Sequence, residues 1–335
     1  MERYHIYKLH FTPPLHLGDS RDGYDVSLKT IHSDTMYAAI TSALAKMGYE
    51  IPNDGDLGVA ISSLFPFYQQ GEASKALLFF PKPVQQKLPQ LDNVAEAKKV
   101  KKVNWVDKHH FERLLAGKDL LASRDARHVH GEFLTDSDVI QGAEQDGCPF
   151  SIMKTQVSHR VTLDRQGMQD AQPFYIDRVY FEDYSGLFFM AQGGNTHLIE
   201  KALNLLSVEG IGTDRAVGNG LFEWSQEEIA LEVPASTDYS LGLSVFIPES
   251  QEQLIPMMQG DGVAYELLRR GGWITTPPYN TIRKNAIYAF EPGSIFSGNV
   301  TDGKCGAIVN LTPKYPIDHP VWRCGKSLFL PIKLN

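Results

Sequence analysis

The chain has 335 residues, 42% of them hydrophobic and 21% charged, the balance of an ordinary globular protein long enough for about two domains. No apolar run approaches the roughly 18 residues of a membrane-spanning helix, and the start, Met1-Glu2-Arg3-Tyr4-His5, carries no secretion signal pattern. The formal charge of −8 argues against a free-standing nucleic-acid binder, yet residues 81–130 hold eleven Lys/Arg against six Asp/Glu, a local balance of about +5. An acidic chain with one basic zone fits a subunit touching nucleic acid on one side and protein on the others, and equally a plain soluble enzyme. Cys148, Cys305 and Cys324 are too few and too scattered for a disulfide framework or a zinc knuckle, which makes a reducing cytoplasm the expected home.

The opening segment has a period of two. His5, Tyr7, Leu9 and Phe11 face one way and Tyr4, Ile6, Lys8 and His10 the other, which reads as a strand stopped by Pro13-Pro14. Ser33 or Asp34 is placed to cap a helix with apolar positions at Met36, Ile40, Ala43, Leu44 and Met47, closed by Gly48. Residues 61–67 and 76–80 read as two strands, the second ended by Pro81-Lys82-Pro83.

Residues 87–172 are polar and read as an insertion with short helices and a hairpin. The hairpin rests on residues 156–163 and 174–176, joined by a long polar tip of the kind that is usually functional or mobile. A buried strand follows at 186–190, then an amphipathic helix over 196–208 with Leu198, Ile199, Ala202, Leu203, Leu205 and Leu206 on its apolar side, then a strand in the run ending at Trp224. The order strand, helix, strand, strand, helix, strand is ferredoxin-like and makes the fold class α+β. A boundary near Val233-Pro234 divides the chain into 1–233 and 234–335, the second part opening with a strand over 239–248.

Gly210, Gly212, Gly218 and Gly220 crowd one loop. Without Cβ they permit positive φ and close approach to the backbone, so that consecutive N–H groups can form an anion-binding concavity. Arg215 adds a planar fork suited to phosphate. The glycines follow a helix and precede a strand, the reverse of a dinucleotide fingerprint, and no Walker Lys-Ser or Lys-Thr ending is present, so no nucleotide cofactor is expected. The plainer reading is a tight helix-to-strand turn in which Asp214 and Arg215 pair on the surface.

Several motifs occur in one order: Pro14-Leu15-His16-Leu17-Gly18, Ile31-His32-Ser33-Asp34-Thr35, residues 62–67, Pro81-Lys82-Pro83, the loop 210–220, Arg270-Gly271-Gly272-Trp273, Glu291-Pro292-Gly293-Ser294 and His319-Pro320-Val321-Trp322. Together they closely resemble the RAMP subunit of type III-A CRISPR (Csm) effector complexes that holds the 5′ handle of the guide RNA, the fourth of the Csm set. The resemblance spans nearly the whole chain and is weakest over 87–172. One departure is Thr213, where many relatives have a third glycine.

The resemblance implies two ferredoxin-like (RRM-like) folds of the RAMP superfamily, the first with a large insertion and a thumb-like hairpin at about 158–176. It implies a non-catalytic subunit at the foot of the complex, one copy per assembly. Such a subunit binds the 5′ handle of the crRNA, docks the large polymerase-like subunit and abuts the backbone RAMP subunit. The RNA-binding residues it points to are His16, Gly18, Ser33, Asp34, Lys82, Lys101, Lys102, His159, Arg160, Gly210, Gly212, Arg215, Gly218 and Gly220.

Each has a plainer reading beside it. His16 can be satisfied by local backbone, Ser33 and Asp34 by capping, and the lysines around Lys98 to Lys102 by solvent on an exposed face. His109-His110 and His128-Val129-His130 lack further clustered ligands, so no metal is expected. The alternative function is a metal-independent RAMP endoribonuclease processing guide RNA with His16 as general acid or base, for which no second base is evident.

Overall fold

The computed structural model describes residues 2–18, 24–84, 94–121, 128–141, 150–163, 170–298, 300 and 305–334. The chain begins with β1 (Glu2–His10), α1 (Ser33–Lys46), β2 (Val59–Ile61), β3 (Phe65–Tyr68) and β4 (Leu77–Pro81). Next come α2 (Val94–Lys101), β5 (Trp105–Asp107), α3 (Lys108–Leu115), β6 (Val129–His130), β7 (Phe133–Leu134), α4 (Asp138–Gln141), β8 (Met153–Thr162) and β9 (Gln172–Phe181). β10 (Gly186–Gly193), α5 (Thr196–Glu209) and β11 (Glu223–Leu231) complete the first part. The second part holds β12 (Tyr239–Gly242), α6 (Gln251–Met257), β13 (Leu267–Arg270), β14 (Ile287–Phe290), β15 (Ile295–Ser297), β16 (Ile308–Asn310), β17 (Trp322–Cys324) and β18 (Phe329–Ile332).

The fold is mixed α+β. Its main sheet runs β11-β1-β10-β3-β4-β5-β7-β6, with β2 also on β10. The first four strands are antiparallel to their neighbours. The period of two in β1 gives it two buried faces. Tyr7 and Leu9 join a core with Ile40 and Leu44 of α1 and Ile199 and Leu203 of α5. Tyr4 and Ile6 point into a second core with Phe111 of α3 and with Leu241, Leu328 and Leu330 from the second part. A sheet covered on both faces is why the inner strands read as near-continuous apolar runs. Smaller sheets stand apart: β15-β12-β18, β13-β14, β16-β17 and the ribbon β8-β9.

Three expectations shift. The strand expected over 61–67 is two strands, because Ser62 Oγ accepts from Met190 N and Ser63 N donates to Leu243 O, drawing the intervening backbone off the ladder. The strand expected over 239–248 ends at Gly242, because Val245 N donates to Ser33 Oγ and Ile247 N to Gly325 O. Helix α1 begins at Ser33, with His32 at the N-cap and no capping side chain, since Ser33 and Asp34 are drawn to the second part. The insertion does contain short helices and a hairpin. It also extends the main sheet through β5, β6 and β7, where Val106, Phe133 and Leu134 are buried.

Candidate nucleic-acid interface

Three segments meet at the end of the main sheet where β1 terminates. The segment 14–18 leaves β1 and lies between the glycine loop and β9. Leu15 exchanges backbone hydrogen bonds with Val179 of β9 at 2.8 Å in both directions. On the other side Gly220 N donates to Pro14 O and Thr213 N to His16 O, each at 2.9 Å. The glycines at this junction are sterically required. A Cβ on Gly220 would lie 1.9 Å from Ile211 O, and one on Gly212 would lie 2.5 Å from His16 O. Both have positive φ, at 72° and 93°.

The glycines therefore close the loop upon itself rather than offering their own amides. Gly210 N donates to Leu206 O, Ile211 N to Gly220 O, Gly218 N to Arg215 O and Gly220 N to Pro14 O. An expectation that all amides from 210 to 220 face outward is thus corrected. Among the described residues the loop amides with no hydrogen bond are three consecutive ones at the tip, on Asp214, Arg215 and Ala216, and two isolated ones, on Gly212 and Asn219. There Asp214 adopts the left-handed conformation at φ 59°, and residues 215–217 form one 3₁₀ turn. Alternation of that kind aims successive N–H groups at one point, the geometry of an anion-binding nest. Arg215 is exposed beside it. Asp214 pairs with Arg178 of β9 at 3.9 Å, and no ion pair joins it to Arg215.

The other expected residues divide by place. Gly18 is exposed next to this junction. His16 is fully buried, with Nδ1–H donating to Asp177 O at 2.6 Å. It fixes segment 14–18 against β9 through Nδ1 and its ring does not reach the surface, so the expected surface contact or acid–base role is corrected to a positioning one, with Nε2 left facing inward. The ribbon β8-β9 is the expected thumb. His159 is exposed on it and packs at a tilt of 58° against its cross-strand neighbour Tyr175 with ring centroids 4.7 Å apart, and Arg160 is half-buried opposite Phe174. Residues 164–169 of the hairpin tip lie outside the described residues, as does Cys148.

Ser33 and Asp34 are buried away from this junction, so their expected RNA contact is also corrected. Ser33 Oγ accepts from Val245 N at 2.9 Å. Asp34 accepts from Arg270 Nε at 2.8 Å and Nη2 at 3.0 Å, and pairs closely with Arg323. Burial alone would raise its carboxyl, but Arg323 and Arg270 outweigh burial and hold it at about 2. Lys284 stands near the same group, and burial beside Arg323 brings its ammonium down to about 8. The basic zone is separate again. Lys101 and Lys102 are exposed at the end of α2, and Lys82 is half-buried after β4 with its ammonium lowered by desolvation. The strands they flank, β4 and β5, are four and five places across the sheet from β11, about 19–24 Å at ~4.8 Å per strand.

Asp107, His110 and Asp136 approach one another within 4.8 Å. Asp107 is already occupied. It caps α3 through His110 N, holds His110 Nδ1 at 2.8 Å and accepts from Thr135 Oγ1 at 2.6 Å.

Arg178, Asp177 and Asn219 were not expected from the sequence. Nothing in a hairpin strand pattern singles out Asp177-Arg178, and their relevance follows only from where β9 packs. Five buried side-chain atoms around the junction have no hydrogen-bond partner among the described residues: His16 Nε2, Asp177 Oδ1, Arg178 Nε and Nη2, and Asn219 Nδ2. Buried polar groups are nearly always paired, so such a concentration marks a place where water or a ligand belongs.

Residues 235–332 match the family described as the CRISPR Csm4 C-terminal domain. The chain is 26% identical over 174 residues to the CRISPR system Cms protein Csm4 of Mycobacterium tuberculosis strain H37Rv, a match spanning 50% of this chain and 53% of that relative. It therefore spans about half the length of that relative. It is 25% identical over 283 residues to the protein of the same name from Thermococcus onnurineus, covering 78% of this chain and 83% of the relative. In fold it resembles a chain of the Csm1-Csm4 cassette in complex with cA4, with a TM-score of 0.62, 18% identity and coverage of 100% and 99%. It equally resembles a chain of the Csm3-Csm4 subcomplex of the type III-A CRISPR-Cas interference complex, with a TM-score of 0.62, 15% identity and coverage of 99% and 100%. The resemblance read from the sequence holds: residues 235–332 match the CRISPR Csm4 C-terminal domain, and the chain is similar to Csm4 proteins in sequence and fold along most of its length.

Proposed function

We propose that this chain is a non-catalytic, RNA-gripping subunit of a type III-A CRISPR interference complex, holding the repeat-derived 5′ handle of the crRNA for antiviral defence. The observation that carries this reading is the loop tip, where the open amides of Asp214, Arg215 and Ala216 stand beside the exposed Arg215 guanidinium. The adjacent ribbon β8-β9, with His159 and Tyr175 exposed on it, supplies aromatic faces on which unpaired bases stack. Partner names in the structural relatives support docking on a large Csm1-like subunit and a Csm3-like backbone subunit, and we propose one copy per complex, in the cytoplasm.

The strand order β11-β1-β10-β3, with helices following β1 and β10, supports a ferredoxin-like reading of residues 1–233. The sheet β15-β12-β18 with α6 beside it supports a second such unit over 234–335.

The test is purification of the chain from its host with Arg215 intact or changed to Glu. The wild type should bring down a short RNA of uniform 5′ end together with the other complex subunits, and Arg215→Glu should lower RNA occupancy without unfolding the chain. Equal RNA occupancy in the two preparations would refute the reading.

A further inference from the structure

Arg178 lies at the foot of the ribbon, on β9, with its side chain only 12% exposed. Its Nη2 is 3.9 Å from Asp214 Oδ2, an ion-pair distance beyond hydrogen-bond reach. Among the described residues its Nε and Nη2 make no hydrogen bond. Those two donors form one edge of the guanidinium, the edge that grips two oxygens of a phosphate. A buried guanidinium with an unused fork is costly, and the nearest carboxylate only balances its charge. Asp177 does not serve it either: its Oδ2 accepts from Ser27 N and its Oδ1 is unpartnered.

Asp214 is itself unusual. It is one of two described non-glycine residues with positive φ, and it opens the tip whose amides are free. Its carboxylate is the ion-pair partner of Arg178 and its backbone opens the tip, so an anion drawn to those amides would compete with it for Arg178. At 36% side-chain exposure it can turn to solvent.

We propose that Arg178 is a phosphate ligand of the bound RNA and that Asp214 is its resident stand-in, displaced when a backbone phosphate arrives. This rests on the reading of the glycine loop as the RNA grip and deepens it. The ribbon foot and the loop tip then hold one phosphate between them, with the Asn219 Nδ2 donor, also unpartnered, close by in the same loop. Displacing a carboxylate makes the grip selective for a multivalent phosphate chain over a single weak anion, since one contact must offset the loss of the Arg178–Asp214 attraction.

The experiment is fluorescence anisotropy of a short 5′-hydroxyl single-stranded RNA on the full chain across a salt series. Arg178→Gln should weaken binding about tenfold and make the slope of log K against log salt shallower by about 0.7, one phosphate contact on a single strand. Asp214→Asn should tighten binding about threefold, and this gain should vanish in the Arg178→Gln background, a coupling that a merely structural role would not produce. Arg178→Lys, which keeps the charge without the fork, should fall between the two. If the wild type binds and Arg215→Glu weakens it while Arg178→Gln leaves affinity and slope unchanged, this inference alone is overturned. An Asp214→Asn gain that persists without Arg178 overturns it too, and Asp214→Asn stands as the test should Arg178→Gln fail to fold. A wild-type chain that does not bind RNA overturns both proposals.

Discussion

Replacing Asp34 by Asn keeps its volume and removes its charge. In the wild type its two oxygens hold Arg270 and Arg323, whose side chains are 11% and 6% exposed. The cluster joins α1 to β13 and β17, so it fastens the first part of the chain to the second. Without the carboxylate, two buried guanidiniums and the neighbouring Lys284 ammonium are left without a counter-charge, and breaking a buried pair in this way costs about 3–5 kcal/mol. The pH dependence gives a second measure. The folded carboxyl lies at about 2 against an ordinary 3.8. Asp34 thus contributes stability that is present above the ordinary value and lost as pH falls through the folded one. At about 1.4 kcal/mol per pH unit this amounts to about 2 kcal/mol between pH ~4 and ~2. Urea denaturation followed by circular dichroism should show a lower midpoint for Asp34→Asn at pH 7 and a smaller loss than wild type on going from pH 4 to pH 2. Replacing the pair together, Asp34→Leu with Arg323→Met, should cost less than Asp34→Asn alone, because one guanidinium, that of Arg270, is then left without its counter-charge instead of two. A loss below about 1 kcal/mol for Asp34→Asn, or a double variant as damaged as the single, would show that the cluster is hydrated and not a clamp.

Lys284 is lowered to about 8 from 10.5, so between those values the unfolded chain binds the extra proton and stability should rise with pH. Lys284→Met should flatten that rise and stabilise the chain at pH 7 by up to about 3 kcal/mol, read from denaturation midpoints. Gly218 and Gly220 have similar positive φ, but a Cβ on Gly218 meets open space while one on Gly220 meets Ile211 O. Gly218→Ala should therefore cost about 1–2 kcal/mol and Gly220→Ala clearly more, with Gly220→Ala also lowering RNA occupancy. Because Lys102 lies far across the sheet from the loop, Lys102→Glu should leave the affinity of the isolated chain for a short RNA unchanged where Arg215→Glu weakens it. Equal losses would place the basic zone on the same RNA path.

Local pattern was enough for most elements of the first part. The alternation of β1, the apolar spacing of α1 and α5, the helix-to-strand glycine loop and the hairpin each follow from contacts among near neighbours in the chain, so periodicity exposes them. The two cores flanking β1 were also legible, as apolar side chains on both of its faces. The limits lie where side chains answer to distant partners. Ser33 and Asp34 carry the signature of a helix cap, yet Val245, Arg270 and Arg323 claim their oxygens from more than two hundred residues away. His16 has the look of a surface histidine in a loop, but the fold seals it between Thr213 and Asp177. Four glycines promised a row of outward amides. Closure of the loop used most of them and left the opening at Asp214 to Ala216. Arg178 carried no signal at all, because a cation in a ribbon strand acquires meaning only when packing brings an aspartate and a set of free amides to its side. Strands, helices and tight turns are set by local sterics and burial period, so the amino-acid order is enough to place most of them. Which polar groups are consumed in holding the molecule together and which are left to meet a ligand depends on the packed fold, since a hydrogen bond or ion pair is settled by whatever group arrives opposite.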